Sequence, residues 1–116
     1  MLAVGEHLWG EVDTRTMKMI SLLAGGVSGT RQEFCGALSA ATLILGALYG
    51  RTSPTEDETL ARELASGLRH QFRKAFGATR CAEVRDAQFI AEGKGNCAPI
   101  VEGTVRMLLT MLEEQS

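Results

Sequence analysis

The longest apolar stretch of the chain, residues 30 to 51, places the strongest constraint on its fold. It reads TRQEFCGALSAATLILGALYGR and is apolar on nearly every side, which is typical of a helix enclosed by other helices. Thr30 and Glu33 have the spacing of a capping box, and Gly50 is expected to take a left-handed conformation beyond the far end. The sequence therefore predicts a central helix over about 31–49, from Thr30 to Tyr49.

Small side chains recur along this central segment. Because they take little room, neighbouring helix backbones can approach closely, and we expect Ala40 to lie in such a contact. The small residues are Gly36, Ala37, Ala40, Ala41, Gly46 and Ala47.

Helix signals also occur on both sides of the central segment. Asp13 is placed to cap a helix over about 14–24, which Gly25 and Gly26 would end. Ser53 and Glu56 form a second capping-box pattern, with proline at the first helical position, and this helix would end at Gly77. The GGVSGT loop at 25–30 is interpreted as a tight turn rather than a phosphate loop, since no Lys-Ser/Thr pair follows it.

The two ends of the chain also have helical spacing. Apolar residues recur at Met1, Val4, Leu8 and Val12, so the chain begins inside a helix without its own cap. One or two helical turns are expected at Cys81 and a polar loop over about 86–96. A last helix is expected from Cys97 to about Glu114. Together these patterns predict one all-α domain over 1–116, a bundle of four or five main helices whose first helix is truncated.

Composition narrows the function of these 116 residues. With 12 basic and 14 acidic residues and 5% aromatics, nucleic acid is a poor candidate partner. No uncharged apolar run reaches the roughly 18–20 residues of a membrane span, and the start lacks the features of a secretory signal. Three cysteines, an odd number, favour a reducing compartment, so a cytoplasmic location is expected.

The three cysteines are the candidate functional residues. Cys81 and Cys97 are predicted in the first turns of their helices, where backbone N–H groups favour thiolate, and Cys35 about one turn further into its own. The alternative is core packing, since cysteine is often buried as a small apolar residue. No CxxC, CxxH or HExxH spacing supports a metal site.

The order of motifs resembles a known family. A glycine-rich loop leads to EFCGALSAA, then to LGALYGR, FGATRCAEV and NCAPIVEGTVRML. This order resembles the C_GCAxxG_C_C family, a redox-active protein family defined by four cysteines and a CGAxxG motif. The resemblance matches Cys35 to the cysteine of that motif, and Cys81 and Cys97 to the family's third and fourth cysteines.

Two positions depart from the family pattern. Ala40 stands where the motif ends in glycine, and no residue of the N-terminal segment matches the first family cysteine. The resemblance implies a redox role for Cys35, Cys81 and Cys97, by thiol–disulfide exchange or by electron transfer with a bound metal or Fe–S centre held by the same three residues. The missing cysteine puts a four-thiolate site in doubt.

Two functional hypotheses follow. The first is a redox-active protein in which the three thiols line one small pocket, with Cys81 and Cys97 more reactive than Cys35 and with a redox partner of unknown identity. The second is a non-catalytic helical module that acts by self-association or partner binding, its cysteines packed in the core. A homodimer is expected in either case, because Met1, Leu2, Leu8 and Trp9 would otherwise expose apolar surface.

Overall fold

A computed structural model describes residues 2–92 and 97–115 of the chain, with side chains described for 4–87 and 97–115. Six α-helices and one short 3₁₀ helix account for most of this part. They are α1 (Leu2–Trp9), α2 (Thr14–Ile20), the 3₁₀ helix Ser21–Leu23, α3 (Gly36–Tyr49), α4 (Thr59–Phe76), α5 (Cys81–Glu92) and α6 (Ala98–Glu114). The described residues contain no strand, which confirms the all-α prediction.

The core lies between the three longest helices. α3 packs against both α4 and α6, α4 and α6 also pack on each other, and α5 lies against α4. The side chains that are almost completely buried come from these four helices: Phe72, Ile44, Leu45, Leu68, Ile100, Leu108 and Val84. None of the helices described here combines the length and the apolar character that crossing a membrane requires.

The central helix begins later than its sequence pattern suggests. α3 starts at Gly36, with Cys35 as its N-cap residue, so the predicted start at Thr30 is wrong. The Thr30 hydroxyl donates to the carbonyls of Gly26 and Val27, and the N–H of Glu33 donates to the carbonyl of Gly26. These bonds hold the segment in the preceding loop, and so the predicted capping box does not form.

The second predicted capping box is also wrong. Ser53 accepts a turn hydrogen bond from the N–H of Glu56, and α4 begins at Thr59, where the Asp57 carboxylate accepts from the Thr59 N–H. The predicted end of α4 is confirmed, since Gly77 has φ 81° and donates to the carbonyl of Arg73. Gly50, by contrast, caps α3 with φ −70°, so its predicted left-handed conformation is wrong.

Two more local predictions need correction. α5 runs without interruption from Cys81 to Glu92, where we expected a short helical piece followed by a polar loop; residues 93–96 of that loop lie outside the described part. At the other end of the chain, the Asp13 cap is confirmed: its carboxylate accepts from the N–H of Thr16 at the start of α2.

Candidate thiol site

A crossing of two backbone segments lies at the centre of the candidate site. Phe34 and Arg80 form an isolated antiparallel bridge. The N–H of Cys35 donates to the carbonyl of Thr79 over 2.8 Å, and the N–H of Cys81 donates to the carbonyl of Glu33 over 2.7 Å. Because Cys35 is the N-cap residue of α3 and Cys81 is the first residue of α5, the crossing joins the starts of these two helices.

The crossing also decides which way its side chains point. Neighbouring residues in an extended segment alternate between two faces. Phe34 is 57% exposed on the outer face, whereas Cys35 and Cys81 are 7% and 4% exposed. The two thiols therefore share the inner face as diagonal neighbours across the bridge, a separation of about 7–8 Å in a regular ladder.

The glycine-rich loop packs directly on the second of these thiols. Gly26 has φ 66°, and a Cβ added to it would lie 2.6 Å from the Cβ of Cys81 and 2.9 Å from the Cα of Arg31. Since real Cβ atoms do not approach so closely, only glycine fits here without displacement. Backbone hydrogen bonds also join this loop to the crossing. The N–H of Arg31 donates to the carbonyl of Gly25, and the carbonyl of Arg31 accepts from the N–H of Ala82.

The third thiol reaches this region through a side chain of α5. Cys97 is the N-cap residue of α6 and is less buried than the other two cysteines. The Arg85 guanidinium donates from Nη1 to the Cys97 sulfur over 3.8 Å. Arg85 lies four residues after Cys81, so it occupies the same face of α5 one turn along.

The pKa of Cys35 reflects its burial in the site. Burial raises the pKa of the Cys35 thiol above its ordinary value of 9.0, and the N–H groups of Ala37 and Leu38 oppose this in part. The thiols of Cys81 and Cys97 raise this pKa further. Burial is therefore the largest influence on the Cys35 thiol, and it favours the protonated form.

A known protein family matches almost the whole chain. The model of the family described as "Putative redox-active protein (C_GCAxxG_C_C)" matches residues 1–111. The chain belongs to this family. No curated protein and no solved structure matches it.

In this family member, sequence patterns predicted the positions of the cysteines relative to the helices better than they predicted the residues that contact them. Cys81 does begin a helix as predicted. Cys35 and Cys97 occupy N-cap positions rather than first-turn positions, which corrects the expected depth of Cys35. The alignment of Arg85 with Cys81 at a four-residue spacing was available from the sequence and was missed. The contact of Gly26 with Cys81 had no comparable signal.

The metal hypothesis receives no support from the donor atoms. Within residues whose side chains are described, no group of three His, Cys, Asp or Glu side chains could hold a metal ion. All three thiols are free. With one thiolate fewer than the usual four of an Fe–S cluster, Cys35, Cys81 and Cys97 do not fit such a centre on their own.

Proposed function

We propose that this redox-active family member exchanges thiols and disulfides, with Cys97 as the attacking thiol. One observation carries the proposal: the most accessible of the three thiols is also the one that accepts from a guanidinium, that of Arg85. Thiol–disulfide exchange requires that the attacking sulfur reach the partner disulfide, and the Arg85 guanidinium is placed to hold that sulfur at the surface. Cys35 and Cys81 are the candidates for the resolving thiol.

The proposed reaction has two steps. The Cys97 thiolate attacks one sulfur of a partner disulfide, forming a mixed disulfide and releasing one partner thiolate, which takes a proton from water. A second cysteine of the chain, as thiolate, then attacks the Cys97 sulfur and releases the other partner thiolate. Two electrons pass from two protein thiols to the partner disulfide, which leaves a protein disulfide and two partner thiols.

The low exposure of Cys35 and Cys81 suits the resolving role. A buried thiol does not readily reach a bulky disulfide, and the Arg85 that contacts the Cys97 sulfur lies on the same face of α5 as Cys81. This proposal departs from our sequence-based expectation that Cys81 alkylates faster than Cys35. At 4% exposure Cys81 has no better access than Cys35, so we now expect Cys97 alone to react fast.

The test uses anaerobically reduced protein and glutathione disulfide as the probe, with products followed by mass spectrometry. We expect Cys97→Ser to slow exchange by at least about tenfold and Arg85→Gln to slow it less, with Arg85→Lys restoring part of the rate. Cys35→Ser and Cys81→Ser, tested separately, should show which variant accumulates glutathione on Cys97. Exchange at an unchanged rate in Cys97→Ser would exclude the proposed attacking thiol.

The metal-dependent form of the redox role requires a donor beyond the three cysteines. Because the described donors do not fit such a centre, the exchange proposed above uses thiols alone. Metal analysis of the same anaerobic protein tests the matter: metal bound in stoichiometric amount and lost in the triple serine variant would favour it over exchange.

The partner and location complete the proposal. We infer that the protein associates with a second copy of itself and works in the cytoplasm, where thiols stay reduced. Of the four residues behind the dimer expectation, Trp9 is exposed, Leu8 packs partly against the core, and the side chains of Met1 and Leu2 lie outside the described part. In the alternative function, a non-catalytic helical module, this association would be the whole activity. Thiols that exchange only after denaturation would favour that alternative.

A further inference from the structure

Two apolar grooves run side by side along the outer surface of α3. The first, of about 600 Å³, lies between α3 and the α1–α2 region and includes Trp9, Met19 and Ile20. The second, of about 500 Å³, lies between α3 and α4 and includes Phe34 and Leu38. Leu23 and Leu43 line both, so the two grooves form one continuous surface, which we call the groove face.

The groove face carries opposite charges in its two halves. Glu11 and Asp13 line the first groove, whereas Arg69 lines the second. Asp13 is engaged in capping α2. Within the part of the chain whose side chains are described, neither Glu11 nor Arg69 forms an ion pair, so each is available to a group outside the chain.

We propose that the groove face binds a second copy of itself about a twofold axis near Leu23 and Leu43. Such an interface pairs a patch with the same patch on the partner. The axis lies in the plane of the interface and follows the boundary between the two grooves. A half rotation about it places the acidic half of one copy against the basic half of the other. Glu11 then meets the partner's Arg69, and the same contact forms a second time by symmetry.

The chain exposes enough surface to form an interface of standard size. Its accessible surface is 7513 Å² for a mass of 12.5 kDa, whereas a folded monomer of that mass has about 6,200 Å². The excess is larger than the ~800 Å² that each partner contributes to a standard interface. Four large apolar side chains of the groove face are about half exposed or more: Trp9, Met19, Phe34 and Leu43.

This geometry leaves the thiols outside the interface. Phe34 belongs to the groove face, and it points away from Cys35 and Cys81 because the bridge places them on opposite sides. Association through the groove face and exchange at the thiols are therefore compatible within one molecule.

The proposal rests on the homodimer inferred above and specifies its surface, so the experiment must separate the two. Sedimentation equilibrium of the wild type and five variants does this, with circular dichroism to establish that each variant folds. Glu11→Arg and Arg69→Glu are the single charge reversals, and the third variant combines them. Leu43→Asp breaks the apolar centre, and Leu48→Asp is its matched control, an exposed leucine of α3 that lines neither groove.

We expect a wild-type dimer, a dissociation constant raised by about tenfold in each single reversal, and recovery in the combined variant, because like charges then become opposite ones again. Leu43→Asp should give a monomer and Leu48→Asp a dimer.

The highest protein concentration in the test is about 100 µM, which lies in the range of dissociation constants of weak complexes. A wild type that is still monomeric at this concentration would overturn the homodimer together with this surface. A dimer that none of the groove-face variants weakens would overturn the surface alone, as would a dimer that Leu48→Asp weakens as much as Leu43→Asp. Single reversals that weaken the dimer without recovery in the combined variant would overturn the proposed pairing of Glu11 with Arg69.

Discussion

The thiol site and the groove face both border α3, but different parts of the polypeptide define them. Backbone hydrogen bonds and a glycine loop with no spare room hold the thiol site together. The groove face consists of side chains that stand in solvent, with open volume between them. The first region therefore tolerates almost no added atom, whereas the second can change its side chains without disturbing the fold of the single chain.

The sharpest test of this difference is a methyl group added at Gly26. Gly26→Ala should lower the free energy of unfolding by about 3 kcal/mol, because it combines a left-handed alanine with a clash against Cys81 and the backbone of Arg31. Gly29→Ala is the matched control: it has φ 76° but nothing within 4 Å of the added Cβ, so it should cost only about 1 kcal/mol. Urea denaturation of both variants measures the difference, and equal losses would show that the loop does not press on the thiol.

A pair of alanines in α3 extends the comparison to the helix itself. Ala40 is half-buried and lines a cavity of about 30 Å³ between α3 and α6, too small for the three carbons that leucine adds. Ala40→Leu should therefore cost about 1–3 kcal/mol. Ala47→Leu places the same group in the first groove, where it meets open volume, and its melting temperature should stay near that of the wild type. Similar melting temperatures for the two variants would contradict the distinction.

The raised pKa of Cys35 predicts a pH dependence that belongs to the thiol site alone. The folded protein holds this proton more tightly than the unfolded chain does. The resulting contribution to the free energy of unfolding is therefore fully present below pH 9.0, the ordinary pKa of the thiol. That contribution should be lost as the pH rises from about 9 through the raised pKa. Denaturation midpoints measured between pH 7 and pH 10.5 should fall in the wild type and fall less in Cys35→Ala. Parallel curves for the two proteins would show that the thiol is not desolvated.

The smallest expected effect lies at an exposed glycine of α3 and has the opposite sign. Gly46 is an exposed residue inside the helix, and a Cβ added there meets no atom within 4 Å. Gly46→Ala should therefore stabilise the protein by about 0.5–1 kcal/mol, since alanine loses less backbone entropy on forming a helix. Thermal unfolding measures it, and a loss of stability would indicate that something packs against Gly46.

The helices were predictable where local signals decide them. Asp13 and Gly77 act as the caps that their positions suggest. The two capping boxes failed for a physical reason, because competing hydrogen bonds engage the same groups. Thr30 bonds within the glycine loop, and the Ser53 hydroxyl bonds with Thr55 while α4 begins only at Thr59. A spacing pattern cannot represent a competitor of this kind.

The same limit applies to the candidate site. That each cysteine lies at or near a helix start followed from the sequence, because the flanking patterns are local. The bridge between Phe34 and Arg80 joins segments separated by two whole helices, and no local pattern encodes such a pairing. Burial of Cys81 depends on this bridge, so its low accessibility could not be predicted.

The bridge also has a consequence for the order in which the site is built. Glu33 and Cys81 pair across a loop that contains α3 and α4, and we expect such a contact to form late because the entropy of closing a long loop is lost before the contact stabilises anything. During synthesis and refolding the cysteines are therefore exposed before their surroundings exist. The chain is at its most vulnerable to oxidation at that stage, before Gly26 closes over Cys81.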